Sequence, residues 1–164
     1  MIRLALKNDI DNVEQIVHES KLLIEKQGPV CWDIKYSSGD NIALDIKEKA
    51  LFVQEIERRI VGFICVNNKE VEGYESINWS CKDNFLVIHR ILVDRRIRRN
   101  GVGTMLMKFT DELAKEKGVK SIRVNIYSLN MNAQNFIVNC GYKKVGEIFI
   151  HGVKEYFYCY EKIL

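Results

Sequence analysis

The sequence predicts one mixed α/β (α+β) domain over residues 1–164, and three observations carry that expectation. Segments of strand-like and helix-like apolar spacing follow one another in the order β-α-α-β-β-β-α-β-α-β-β. One segment, residues 85–93, is apolar almost throughout, as in a strand covered on both faces. It runs through a basic turn into a helix opened by Gly101 and Gly103. No linker, repeat or low-complexity tract interrupts the order.

The elements follow from local spacing. Residues 2–6 form a short first strand. Asn8 is placed to cap a helix over about 9–26, whose apolar positions Ile10, Val13, Ile16, Val17 and Ile24 recur at helical spacing. Gly28 and Pro29 break that helix; a loop with Trp32 and Tyr36 precedes a second helix over about 39–49. Residues 51–56 and 60–66 alternate as two strands joined by the charged turn Glu57-Arg58-Arg59, an antiparallel hairpin. A long polar connection, 67–83, carries Tyr74 and Trp79. After the strand 85–93, Val102, Met105, Leu106, Phe109 and Leu113 make one helical stripe that Gly118 ends. A strand over 121–127, a helix with Ala133, Phe136, Ile137 and Cys140 at helical spacing closed by Gly141, and strands over 142–150 and 154–163 complete the chain.

Composition excludes several classes. With 25 basic against 22 acidic side chains the net charge is only +3, too mild for a nucleic-acid partner. The five cysteines have no CxxC spacing, so neither a zinc site nor a disulfide framework is expected; no metal is expected, and Cys65, Cys140 and Cys159 read as reduced core residues. No apolar run approaches the roughly 18 residues that span a bilayer. The first residues meet charge too early for a secretory leader, so a cytoplasmic location without membrane contact is expected.

The residues that point to chemistry lie between 93 and 104. Val93 and Asp94 end a strand, and a helix follows whose first N–H groups have no intrahelical partner and carry partial positive charge. Gly101 and Gly103 lack a Cβ, so backbone can approach a ligand closely. Arg98 and Arg99, in a cluster with Arg90, Arg95 and Arg96, suit phosphate oxygens. The pattern predicts a diphosphate site. It is neither GxxxxGK[ST] nor GxGxxG, since Leu106 stands at the third glycine place. A merely tight strand-to-helix connection would also explain the glycines, but not the arginines.

Arg98-x-x-Gly101-x-Gly103 resembles the acetyl-CoA signature, [Gln/Arg]-x-x-Gly-x-[Gly/Ala], of the GNAT acetyltransferase superfamily. Asn130-x-x-Ala133-x-x-Phe136 with Gly141-Tyr142 is similar to that family's Asn-x-x-Ala…Gly-Phe element. Ile88-His89-Arg90-Ile91 and the ending Tyr160-Glu161-Lys162-Ile163-Leu164 look like a set of bacterial members. The resemblance implies a central, mixed, mostly antiparallel twisted sheet of six to seven strands with about four flanking helices. It implies acetyl-CoA as cosubstrate and an amine acceptor, with the protein a monomer or homodimer. It implies that backbone of Ile91, Leu92 and Val93 pairs with the pantetheine arm. Amides from Arg98 through Arg99, Asn100, Gly101, Val102 and Gly103 to Thr104 then hold the pyrophosphate, and Asn130 contacts the arm or acyl end. Asn130 also suits a plain N-cap, and both roles are compatible.

Acetyl transfer to an amine needs the amine deprotonated, the thioester oxygen met by a donor, and a proton for the departing thiolate. His89 is the candidate base, on the same strand face as Ile91 and Val93, where arylalkylamine-type members carry a histidine; a structural neutral histidine is the alternative. By family analogy Leu92, or else Val93, is the backbone oxyanion donor. The family's frequent tyrosine acid is replaced by Ile137, and a strand glutamate by Asn125; Tyr127 and Tyr142 are substitutes of mainly structural character. Trp32, Tyr36, Tyr74 and Trp79 are candidate acceptor contacts, or lids over the core. The expected function is acetylation of a small primary amine by direct attack. Acetylation of a peptide N-terminus and a non-catalytic acyl-CoA sensor are the alternatives.

Overall fold

The computed structural model describes residues 1–27, 39–97 and 100–164. Its strands are β1 (Ile2–Leu4), β2 (Leu51–Ile56), β3 (Arg59–Asn67), β4 (Phe85–Val93), β5 (Ser121–Tyr127), β6 (Lys143–Ile148) and β7 (Phe157–Ile163). The helices are α1 (Ile10–Gln27), α2 (Gly39–Lys47), α3 (Val102–Glu116) and α4 (Met131–Asn139). The strands are hydrogen-bonded in the order β1-β2-β3-β4-β5-β7-β6. Among the described residues β4 pairs with β5 in parallel, while β1–β2, β2–β3, β5–β7 and β6–β7 are antiparallel. The sequence expectation of a mixed, mostly antiparallel sheet with flanking helices is met.

The chain divides into two compact units, one of residues 1–66 with 90–109, the other of residues 67–89 with 110–164. In the first, β2 and β3 pair from Leu51↔Cys65 to Gln54↔Gly62, and a bulge then shifts the register to Glu55↔Ile60. Their hairpin turns on Glu57 and Arg58, both at positive φ (48° and 62°), as a two-residue turn matched to strand twist requires. Val13, Ile16 and Val17 of α1 and Ile42 of α2 pack with Leu51, Val53, Phe63, Cys65 and Leu92 in its core. Asn8 does not cap α1 as expected; it lies inside a 3-10 turn, Lys7–Asp9. The Asp9 carboxylate does the local work instead, accepting the Leu6 N–H at 2.7 Å and bridging to Arg3, which also reaches Glu55.

In the second unit, the parallel pairing of β4 runs from Phe85↔Ser121 to Ile88↔Val124. Tyr74, Trp79, Val87, Ile148, Ile150 and Cys159 form its core. A charged pair stands in register across β5 and β7, Arg123↔Glu161, both buried. Each holds the same stretch of the 68–84 connection. The Glu161 carboxylate accepts the N–H groups of Ser80 (2.9 Å) and Cys81 (3.2 Å), and Arg123 donates to the Cys81 carbonyl at 2.7 Å. The Arg123 guanidinium also lies against Trp79 and Phe85 and reaches Glu70.

The strand β4 is less enclosed than expected: Leu86, Val87 and Ile88 are buried, but His89, Arg90, Ile91 and Val93 are half-buried. Cys65 and Cys159 are buried as read, and burial pushes each thiol up to about 12; Cys140 is only half-buried.

Candidate active site

The end of β4 is fixed by Asp94. Its buried carboxylate accepts from the Arg96 backbone N–H (3.0 Å) and guanidinium and from Arg59 (2.7 Å), holding it below the usual carboxylate range. Hydrogen bonding by Arg96 is the main cause, against a desolvation that pushes the other way. The contact folds Arg95–Ile97 into a 3-10 turn that starts the path to α3. Two members of the arginine cluster thus have internal partners: Arg96 here, and Arg90, which pairs with the buried Asp45 of α2. Arg98 and Arg99 lie outside the described residues, as do Trp32 and Tyr36.

The mouth of α3 combines one anchored side and one exposed side. Val102 and Leu106 are buried, whereas Asn100, Gly101, Thr104 and Met105 are exposed. Among the described residues the first intrahelical bond is Met105 N–H to the Gly101 carbonyl, 2.9 Å, so the N–H groups of Val102, Gly103 and Thr104 precede the ladder. Gly101 has φ +76°, a left-handed conformation that favours glycine, and a Cβ built there meets no atom of the described residues within 4 Å. Below, Gly62 of β3 admits the strand end and the helix together. A Cβ there would stand 2.9 Å from the Leu92 carbonyl oxygen and 3.1 Å from Val102 Cγ1.

The Asp94 N–H donates to the Val61 carbonyl at 2.8 Å, and the Leu92 carbonyl oxygen lies beside Gly62 of β3.

His89, on β4, has its Nε2 2.7 Å from the Asn67 Oδ1 at the end of β3. Asn130 caps α4, its Oδ1 accepting the Ala133 N–H at 3.1 Å, which leaves the amide NH2 end for another partner. Tyr74 and Trp79 are core residues of the second unit rather than exposed acceptor contacts. The Tyr74 hydroxyl donates to Asn125 Oδ1 (2.9 Å), and the Trp79 indole N–H donates to the Tyr74 carbonyl (2.9 Å). Ile137 and Tyr142 are buried, and burial raises the Tyr142 hydroxyl well above its ordinary value, making it a poor proton donor. Burial likewise raises the Cys140 thiol, which disfavours a thiolate nucleophile. Asn67, Gly62 and the Asp94 contacts are absent from the sequence expectations. Each depends on a partner at least two residues away and on which edge of a strand it meets.

The acetyltransferase (GNAT) family profile matches residues 18–142, which include β4, the turn, α3 and α4. The chain belongs to the GNAT acetyltransferase family. A Staphylococcus aureus Mu50 protein proposed to be an acetyltransferase is 29% identical, with a TM-score of 0.77 over 99% of this chain and 98% of that one. The N-acetyltransferase paia of Thermoplasma acidophilum, solved in complex with coenzyme A, is 14% identical, with a TM-score of 0.78 over 100% of this chain and 98% of that one, a likeness of fold. An uncharacterised N-acetyltransferase of Methanocaldococcus jannaschii is 24% identical over 148 residues, 87% of this chain. The chain spans 60% of that curated relative's length, and a second curated match spans 29% of its own. Among the described residues of this GNAT protein no helix is long and apolar enough to cross a membrane.

Proposed function

We propose that this GNAT acetyltransferase moves an acetyl group from acetyl-CoA to a small primary amine, by direct attack while both substrates are bound. The observation that carries the reading is the mouth of α3, where Gly101 has φ +76° with no described atom within 4 Å of a Cβ placed there, and where the first N–H groups precede the helical ladder among the described residues. This fits a diphosphate, whose oxygens take backbone N–H groups and the positive end of a helix. In the proposal Gly101, Val102, Gly103 and Thr104 hold the diphosphate with Asn100, and Arg98 and Arg99 add charge. Ile91, Leu92 and Val93 supply backbone partners to the pantetheine arm, and Leu92 or Val93 a donor to the thioester oxygen. Acetyl-CoA supplies the activated acetyl group.

His89 takes the ammonium proton, directly or through a water, and so releases the amine lone pair. Asn130 offers its NH2 end to the arm. A departing thiolate is a fair leaving group, and water serves as its proton source, since Ile137 and the raised Tyr142 do not. The protein acts as a single domain in the cytoplasm, as monomer or homodimer.

The test has two arms. Free-thiol release from acetyl-CoA across small amines and peptide N-termini names the acceptor; turnover on peptides alone replaces the small-amine reading, and saturable binding without turnover on any amine makes the chain a sensor. Gly101→Glu places a side chain and a negative charge at the mouth, and calorimetry should find acetyl-CoA binding abolished. Unchanged affinity refutes the diphosphate site.

A further inference from the structure

The contacts around His89 carry one step more. Asn67 Oδ1 accepts the Lys69 backbone N–H at 2.8 Å. A backbone N–H can only donate, so this bond settles which end of the Asn67 amide is oxygen; the flipped amide would set NH2 against N–H. The same oxygen lies 2.7 Å from His89 Nε2. An amide oxygen can only accept, so Nε2 must carry the hydrogen. A neutral imidazole protonated at Nε2 has its lone pair on Nδ1.

We propose that Asn67 is a positioning residue that fixes neutral His89 in its Nε2–H tautomer, so that the proton of the acceptor ammonium is taken at Nδ1. The proposal rests on the reading of His89 as base. The step balances simply: an N–H bond of the ammonium breaks, its electron pair stays on the amine nitrogen, and the proton bonds to Nδ1. The imidazolium that results still donates from Nε2 to Asn67, so the ring need not turn during the transfer. The Lys69 N–H in turn holds the Asn67 oxygen in place, which makes the end of β3 and the residues after it the mount of the proposed base.

The experiment uses the full chain labelled with nitrogen-15 and long-range proton–nitrogen correlation of the histidine rings, at a pH where His89 is neutral. His89 signals are assigned by their loss in His89→Gln. We expect a protonated-type Nε2 and an unprotonated-type Nδ1 in the native protein. In Asn67→Ala both nitrogens should move toward averaged values, while kcat falls about tenfold, part of the ~10²–10⁴ that a positioned base contributes, with KM for acetyl-CoA unchanged. Asn67→Asp keeps an acceptor and should restore the native ring pattern. A hydrogen on Nδ1 in the native protein, or ring signals unmoved in Asn67→Ala, overturns the proposal, and the native spectrum decides it even if a variant does not fold. Native turnover in His89→Ala would sink the base assignment alone, because the ring spectra judge the tautomer separately.

Discussion

Gly62→Ala isolates a steric demand at the centre of the proposed cofactor cradle. Gly62 does not have positive φ, so alanine is tolerated by its backbone and the substitution tests space alone. The added methyl would stand 2.9 Å from the Leu92 carbonyl oxygen, 3.1 Å from Val102 Cγ1 and 3.4 Å from Leu106 Cδ1. A carbon meets a carbonyl oxygen comfortably at about 3.3–3.6 Å, so β4 or α3 must retreat by about half an ångström. The Leu92 oxygen is backbone and cannot rotate aside, and Val102 begins the helix, so the retreat falls on the strand end and the helix mouth. Overpacking of this kind costs about 1–3 kcal/mol. The loss of unfolded-state freedom returns about 0.4–1 kcal/mol. The net expectation is a destabilisation of about 1–2 kcal/mol, or about 2–8 °C in Tm for a chain of this size. Urea unfolding measures the first, and calorimetry with acetyl-CoA should find weaker binding because the amides at the mouth have moved. If Gly62→Ala unfolds at a higher urea midpoint than the native protein, only the unfolded-state term is present and the close approach of strand and helix is wrong.

Three further outcomes are expected. Arg58 holds φ +62° in the hairpin turn and is exposed; Arg58→Gly should stabilise the fold by about 0.5–1 kcal/mol, relief of left-handed strain less the entropy of glycine. A lower Tm for that variant would count against the turn. Asp94 and Asp9 are held below the ordinary carboxylate range by Arg96 and Arg3 respectively, so the unfolded chain binds their protons first as pH falls. Their contribution is whole above a pH of about 4 and is lost as pH drops through the folded-state values. Asp94→Asn should flatten the fall in urea midpoint between about pH 5 and pH 2, and slopes equal to the native protein's would refute the assignment. Gly118 has φ +64° and no described atom within 4 Å of a built Cβ. Gly118→Ala should therefore cost about 1 kcal/mol from conformation alone, with acetyl-CoA affinity unaltered in the same calorimetry.

The elements were legible where period and punctuation agree. The residues 85–93 and 121–127 are strands with those same bounds, because apolar runs of that length bounded by polar turns admit little else. The stripe from Val102 to Leu113 with Gly118 behind it marks α3 within two residues of its end. Side-chain partners were not legible. The basic cluster reads as a phosphate surface, yet Arg90 answers to Asp45 and Arg96 to Asp94, and nothing local distinguishes an arginine that seeks a ligand from one that neutralises a buried carboxylate. Tyr74 and Trp79 look like recognition residues in a polar connection, but that connection turns them into the core.

The Arg123↔Glu161 pair gives the irregular connection an unusual kinetic character. The amides of Ser80 and Cys81 belong to no helix or strand, yet their hydrogens are held by a buried carboxylate on β7. Deuterium can replace them only when this carboxylate contact breaks, so they should exchange more slowly than unbonded loop amides. The 68–84 segment is thereby a reporter: any ligand or substitution that alters the hold of the Glu161 carboxylate will change exchange at two backbone positions outside the sheet.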